Sequence, residues 1–588
     1  MTARRLALPG TLERRRWRSP AILLLLQLVS GMLGAQGAPA DLRGLWEATL
    51  RFGPDVHGQL ILLRSANAWR ADIAGFSLAA TVRGETISFE LPGGRGSFRG
   101  VRSGDEVRGQ WIQPVTQYSG RGYATPVTLR PDGAGRWRGN VTPYEDRFTF
   151  YLPVSAQADG TLRTYLRNPE RNQGRFMRVS RIALNGADVL LTGSGPNAPS
   201  VRGHYEDGVI SLPLRGGTYD FTRVQAEASS PFYPRGSPAP RYRYAPPLAT
   251  GDGWPVGSVE DVGISREAIE QFVQRVLDMP MDSLGTHQLH ALLIARHGRL
   301  VVEEYFHGYH RDMPHETRSA AKSWTAVLIG AAMQAGIPIR TNTPVYATML
   351  DQLPADLDPR KRAMTLDHLM AMTAGFNCNP DDSTSANEDV MDGRGVEDWY
   401  RYTLEVPLVS APGEKVFYCS TEPNLAAGMV AKIAREPLPE LFDRLVARPL
   451  QMGTYHLFLQ PMGEAYGGGS HLFLPRDFLK LPQLLLNDGA WNGRQVLAPG
   501  ELRRIAASLR DLTPTQQYAR LWNSVEYDYG NGGKKVRAYF AGGNGGQIFM
   551  AIPDLDLAIG FTGGNYADAA TFVAQRDYVP QYVLPAVR

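Results

Sequence analysis

The stretch Arg318 to Gly330, RSAAKSWTAVLIG, places a serine three residues ahead of a lysine and runs straight into an apolar helical pattern. Positions i and i+3 share a helix face, so Ser319 and Lys322 are expected to point the same way at a helix N-terminus. There the helix dipole favours a developing alkoxide. A lysine withdrawn from water beside that serine can take its proton as a neutral amine, which gives a nucleophile and a base without histidine. A surface hydroxyl is the ordinary alternative, because this spacing arises by chance in a chain of 588 residues. Lysine usage argues for chemistry: the chain has 7 lysines against 55 arginines, and every lysine lies beyond residue 321. Where the permanently charged arginine is the default cation, a lysine at this position marks a wanted amine.

Two further pieces follow in order. APGEKVFYCSTEPNLAAGMV, Ala411 to Val430, turns at Pro-Gly and sets Tyr418 ahead of an apolar helical run. A phenol held near a lysine can relay protons between nucleophile and leaving group. YFAGGNGGQIFM, Tyr539 to Met550, is a glycine-rich approach to a strand. Glycines let the backbone come close to a substrate and aim N–H groups at an oxyanion.

With these pieces in this order, the C-terminal half resembles the serine β-lactamase-like superfamily, which takes in class C β-lactamases, D-alanyl-D-alanine carboxypeptidases, and related esterases and 6-aminohexanoate-oligomer hydrolases. The likeness runs over roughly residues 257–588 and includes LIARHGRLVVEEYFHG, AGIPIRTNTPV, MTLDHLMAMTAGF, ARPLQMG and PRDFLKLPQLLLNDGAWNGRQVL. It implies Ser319 as acylated nucleophile, Lys322 as its activating partner and Tyr418 as the tyrosine of the second motif. That motif, usually Tyr-x-Asn, reads Tyr418-Cys419-Ser420 here, so Ser420 stands where an asparagine would bind the substrate amide. The third motif, usually Lys-Thr-Gly or His-x-Gly, falls on Phe540-Ala541-Gly542 without a cation. Gly543 then supplies an oxyanion N–H together with Ser319, and Asn544 lies beside the substrate. Loss of that cation removes a charge-assisted bond to a substrate carboxylate, which points away from penicillins and towards the esterase and linear-amide hydrolase branches.

Before this half the grammar differs. Residues 41–224 are written in short alternating runs such as GQLILLR, TISFEL and RFTFYL between Gly, Asp and Asn turns, the pattern of antiparallel β structure. Arg-Gly-x-aromatic returns at Arg43–Trp46, Arg108–Trp111 and Arg202–Tyr205, which suggests related hairpins in an all-β barrel or sandwich, with two similar sheets and a lipocalin-like form among the options. This domain lies outside the resemblance. It reads as a packing domain rather than a glycan- or substrate-binding module. Residues 225–257 are proline-rich and aperiodic, a stiff linker. Residues 258–588 then mix helix and strand, an α/β domain with an antiparallel sheet flanked by helices; Ser265 is a plausible N-cap for SREAIEQFVQRVLDM.

The first 40 residues carry a basic stretch, an apolar run from Ala21 to Leu33 and then small residues, the grammar of a secretory signal cleaved after Gly37 or Ala40. An uncleaved anchor is the alternative, but the run falls short of the roughly 20 residues a spanning helix needs. Met1 to Ser19 hold six arginines and one glutamate, so the formal charge of +4 becomes about −1 without them. A near-neutral body gives no electrostatic case for nucleic acid or an anionic membrane. Export implies a periplasmic or extracellular protein, where Cys378 and Cys419 could pair; two buried free thiols are the equal alternative. The histidines of HQLH and HGYHRDMPH lack a completing carboxylate or cysteine cluster and read as packing or solvated. Asp477 reads as a helix N-terminal cap. The expectation is a cofactor-free exported serine hydrolase acting on a small or short oligomeric ester or amide. Its rival is a non-catalytic sensor or cell-wall ligand-binding protein on the same fold. Oligomeric state is left open.

Overall fold

The computed structural model describes residues 41–588 except 67, 116–119, 195–197, 225–230, 508–509, 514–515 and 531–532. The expected signal segment and the first residues of the linker therefore lie outside the described residues.

The N-terminal part is two closed, eight-stranded antiparallel barrels, one inserted into the other. Strand Gly44–Phe52 opens the first barrel, which resumes at Asp146–Ala156 and closes through strand Gly217–Arg223. The second barrel runs from strand Gly58–Ser65 to strand Arg136–Val141, which pair with each other and seal it. A nine-pair ladder from Gly44↔Val154 to Phe52↔Asp146 clamps both ends of the insert.

Both interiors are filled by the inward face of the alternating pattern: Trp46, Phe148, Phe150 and Tyr219 in one, Leu60, Leu62, Phe98 and Trp111 in the other. The recurring Arg-Gly-x-aromatic motif has a packing cause. Gly and the aromatic are two residues apart and face the same way. A Cβ on Gly109 would lie 2.2 Å from the Arg99 carbonyl oxygen, and one on Gly203 would lie 2.2 Å from that of Ser211. Glycine thus permits close backbone approach while Trp46 and Trp111 fill the lumen; Tyr205, half-buried, sits edge-on to Trp46 at 6.4 Å.

The C-terminal part has an eight-stranded antiparallel sheet in the spatial order Arg299–Tyr305, Leu289–Arg296, Leu557–Gly563, Gln547–Ile552, Lys534–Gly543, Trp522–Tyr529, Gln516–Ala519, Arg510–Thr513. Its central strands are buried on both faces, which is why they read as unbroken apolar runs rather than alternations. Helix Arg266–Leu277 and the C-terminal segment cover one face. Helices Lys322–Gln334, Thr421–Ala434 and Pro475–Leu486 belong to the core on the other. Helix Lys322–Gln334 is buried at every position from Lys322 to Ala332, as expected for a helix apolar on all sides. Ser265 caps its helix by accepting from the Ala268 N–H at 3.4 Å. Asp477 does not cap its own helix, whose N-cap is Leu474. Buried instead, its carboxylate accepts from the Gly453 N–H at 2.8 Å and from Lys480 at 2.7 Å, because the helix start is packed against the loop before it.

Residues 231–257 are irregular but not a free spacer. Phe232, Tyr242, Tyr244 and Trp254 are buried, the Tyr244 hydroxyl donates to the Val301 carbonyl at 2.7 Å, and Arg235 pairs with Glu304. The barrels are joined to the C-terminal sheet domain by more than this segment. Leu457–Phe458 adds as a short strand to the edge of Tyr123–Pro131, Arg99 grips Glu440 through two bonds of 2.5 and 3.1 Å, and Asn172 donates to the Tyr566 carbonyl at 2.9 Å. No helix among the described residues is long and apolar enough to cross a membrane.

The histidines singled out in the sequence pack rather than solvate, apart from His310. His290 and His315 hydrogen-bond at 2.9 Å, the His290 ring stacks on Tyr309 at 4.0 Å, and the His307 Nδ1 meets the Pro231 carbonyl at 3.1 Å. Burial pushes His307 and His315 each down to about 3. A ring depressed in the folded state binds its proton mainly after unfolding, so its contribution to stability is whole above about pH 6.5 and is lost as pH falls towards 3. Replacing His307 by asparagine keeps a donor towards Pro231 but removes the titration. The melting curve of that variant should lose about 1.4 kcal/mol less stability per pH unit than the parent between these limits; equal slopes would refute the assignment.

Candidate active site

Ser319 lies in a single 3-10 turn, Arg318–Ala321, and the α-helix proper begins at Lys322. Arg318 takes a left-handed φ of 47°, which bends the chain sharply before the serine. The Lys322 side chain, 2% exposed, places its Nζ 2.8 Å from Ser319 Oγ and donates to the Gly468 carbonyl at 2.6 Å. Tyr418 is 41% exposed, and the Lys322 Nζ stands 5.1 Å from the centre of its ring. Gly543 packs directly on the serine's turn: a Cβ there would lie 2.4 Å from the Thr317 carbonyl oxygen and 3.0 Å from the Ala320 nitrogen. Ser319, Lys322, Tyr418, Gly543 and Asn544 together border one cavity of about 420 Å³.

The local sequence explains why the turn holds its place. Thr317 donates both its N–H and its hydroxyl to the His471 carbonyl, at 3.0 and 2.7 Å, and the Ser470 N–H donates to the Arg318 carbonyl at 3.1 Å. The Gly467-Gly468-Gly469 run is therefore a backbone cradle for the turn that carries Ser319. A Cβ on Gly467 would meet the Pro423 carbonyl at 2.6 Å and one on Gly469 the Arg318 carbonyl at 2.5 Å. Thr325, one turn on from Lys322, ties the same run through the Gly467 carbonyl at 2.8 Å.

Residues 281–570 match the family model described as Beta-lactamase. Residues 281–570 form a β-lactamase-like domain. Solved structures similar to it include a Bacillus anthracis protein provisionally assigned as a 6-aminohexanoate-dimer hydrolase, at 20% identity over 51% of this chain and 79% of that one, with a TM-score of 0.43. A D-stereospecific amidohydrolase from Streptomyces sp. is 14% identical over 53% of this chain and 98% of its own, with a TM-score of 0.40. A family VIII carboxylesterase is 15% identical over 52% and 92%, also at 0.40. No curated protein sequence matches the chain.

Of the other residues singled out in the sequence, Ser420 lies off the cavity, Asn544 borders it, and the two cysteines are bonded. Ser420 is 4% exposed, lies at the start of helix Thr421–Ala434 and is not part of the cavity lining among the described residues. Asn544 does border the cavity, but its Oδ1 accepts from the Ala567 N–H at 3.0 Å, so it also pins the loop after the last strand. Cys378 and Cys419 are bonded, with Cα atoms 5.6 Å apart. The bond ties the residue after Tyr418 to the loop after Phe376.

Tyr518 and Asn523 are among the cavity residues that escaped the sequence reading. Tyr518 sits edge-on to Tyr418 at 6.4 Å, and Asn523 pairs with it from the neighbouring strand Trp522–Tyr529. Burial raises the Tyr518 phenol well above its ordinary range, with Tyr418 and Glu422 adding to the effect. Glu422 is itself fully buried, which pushes its carboxyl well above the usual carboxylate range, and it accepts from the Ala374 N–H at 3.3 Å. Neither residue stands in a recognisable local pattern, since both gain their place through strand order. Among the described residues no group of three or more His, Cys, Asp or Glu is arranged to hold a metal ion.

Proposed function

We propose that the protein is an exported serine hydrolase that cleaves an ester or linear amide through an acyl-enzyme. The observation that carries this reading is the buried Lys322 amine 2.8 Å from Ser319 Oγ beside an open cavity. Lys322 takes the serine proton on its Nζ while keeping one N–H on the Gly468 carbonyl. Ser319 Oγ attacks the carbonyl carbon, and the backbone N–H groups of Ser319 and Gly543 face the oxyanion that forms. Tyr418, at the mouth of the cavity, returns the proton to the leaving group. Water then releases the acyl group, with Tyr418 or Lys322 as base. The absence of a cation at Phe540-Ala541-Gly542 supports neutral or linear substrates over penicillins.

Labelling with a fluorophosphonate, read by intact mass, followed by p-nitrophenyl ester turnover tests the reading. An adduct on the parent that is lost in Ser319→Ala supports it. No adduct and no turnover in folded protein would replace it with a ligand-binding role. Gly543→Ala provides a second check, because its Cβ has to displace the Thr317 carbonyl and with it the serine. Ester kcat/KM should fall on the order of 100-fold with the melting point nearly kept.

A further inference from the structure

One segment of the first barrel contacts two of the pieces that surround Ser319. Residues 165–178 join strand Leu162–Thr164 to strand Val179–Asn185, and their shape is set by their own sequence. Asn168, wholly buried, donates to the Thr149 carbonyl at 3.0 Å, while its Oδ1 accepts from the Arg171 N–H at 3.0 Å and the Gln173 N–H at 3.3 Å. Asn172 takes a left-handed φ of 51°, which asparagine tolerates better than most residues. A Cβ on Gly174 would lie 1.6 Å from the Leu166 carbonyl oxygen, so only glycine lets the segment close on itself. The result is a self-bonded turn, a fixed base for the side chains of Arg171, Asn172 and Arg175.

Each of the three reaches the C-terminal domain. Arg171 pairs with Glu316, which lies just ahead of the serine's turn and also pairs with Arg318 at 2.8 Å. Asn172 donates to the Tyr566 carbonyl at 2.9 Å, a buried bond, and Arg175 pairs with Asp568. The last two contacts fall on residues 564–572, the segment that follows strand Leu557–Gly563. Ala567, Asp568, Thr571 and Phe572 of that segment border the 420 Å³ cavity of Ser319, which Asn172 and Arg175 do not. From its own domain the segment receives the Asn544 Oδ1 on the Ala567 N–H at 3.0 Å and the Arg318 guanidinium 5.3 Å over the Tyr566 ring. The barrel thus supplies one buried hydrogen bond and one ion pair to a wall of the cavity, and the Arg175 guanidinium offsets the only carboxylate in that wall.

We propose that Asn172 and Arg175 are positioning residues that hold residues 564–572 as one wall of the Ser319 cavity, so that the first barrel takes part in selecting the group seated beside the nucleophile. With Ala567, a paired Asp568 and Phe572, which is 44% exposed, that wall suits an uncharged apolar group such as an alkyl chain. A misplacement of about 1 Å far from the chemistry can cost on the order of 100-fold in rate, so two contacts made by a separate domain suffice to change which substrates turn over. The consequence for substrate choice rests on the hydrolase reading; the hold on the wall does not.

The Asn172→Gly/Arg175→Ala double variant of the full chain tests it. Glycine keeps the left-handed φ at 172, and the Arg175 side chain is 38% exposed, so its truncation leaves no hole in the core. Hydrogen exchange of the peptide covering residues 564–572, read by mass, should be about tenfold faster in the variant, with strand Gln547–Ile552 unchanged. The kcat/KM for p-nitrophenyl octanoate relative to p-nitrophenyl acetate should fall about tenfold, since the longer chain makes more use of the wall. A general loss of folded protein would lower both esters equally and leave that ratio alone. Arg175→Ala by itself should lower the ratio and Arg175→Lys should keep it, which ties the effect to the pair with Asp568; equal losses in the two remove that pair from the proposal. Unchanged exchange or an unchanged ratio in the double variant overturns the proposal. If the parent hydrolyses neither ester, the hydrolase reading fails and exchange decides alone: faster exchange upholds the hold on the wall, and equal exchange overturns it.

Discussion

Ser319→Ala should lower ester turnover by a factor on the order of 10⁴ or more and remove the fluorophosphonate adduct completely. The size follows from the role: without an Oγ no acyl-enzyme forms, and only the cavity and the oxyanion N–H groups remain to assist water. The fold should survive, since among the described residues the side chain's one hydrogen bond is the 2.8 Å contact from Lys322 and the turn is held by bonds from Thr317 and Ser470. A melting point within a few degrees of the parent is therefore part of the expected result. Turnover within tenfold of the parent would remove Ser319 from the mechanism.

The second large effect separates two roles for Lys322. Lys322→Arg keeps a positive charge but supplies a group that does not deprotonate in proteins. Lys322→Met keeps the length of the stem without the amine and leaves the Gly468 carbonyl, now bonded at 2.6 Å, without its donor. If Lys322 is the base, both variants should lose roughly 10³-fold in kcat. The methionine variant should also lose about 1–3 kcal/mol of stability from the orphaned carbonyl. Retention of most activity in the arginine variant would show that Lys322 acts only as a fixed charge, and the proton would then have to pass through Tyr418. Because both side chains share the same 420 Å³ cavity, measuring the pair against Tyr418→Phe in a double-mutant cycle would apportion the proton transfer.

Cores, caps and turns were legible wherever their cause is local. The alternation in residues 41–224 announced strands and Ser265 announced a helix start, because each depends on residues a few positions apart. Asp477 was misread for the same reason: a carboxylate in the first turn of a helix looks like a cap, and nothing nearby in sequence shows that Gly453 and Lys480 take up its oxygens. The number of barrels was also hidden. A strand pattern does not say which strand closes on which, and here Gly44–Phe52 pairs across an insert with Asp146–Ala156.

At the site the division is sharper. By itself the sequence determined the Ser-x-x-Lys pair, the tyrosine ahead of its helix and the glycine-rich approach of the third motif, since spacing within one turn or one strand places those side chains. Only the tertiary structure decided that the Lys322 amine rests on the Gly468 carbonyl 146 residues away, that Gly543 lies against the serine's turn, that Ser420 is buried away from the cavity lining, and that Asn172 and Arg175 of a separate barrel reach a wall of the cavity. Those placements come from sheet order and from the packing of one barrel on another domain, contacts between segments whose separation in the chain leaves no periodic trace.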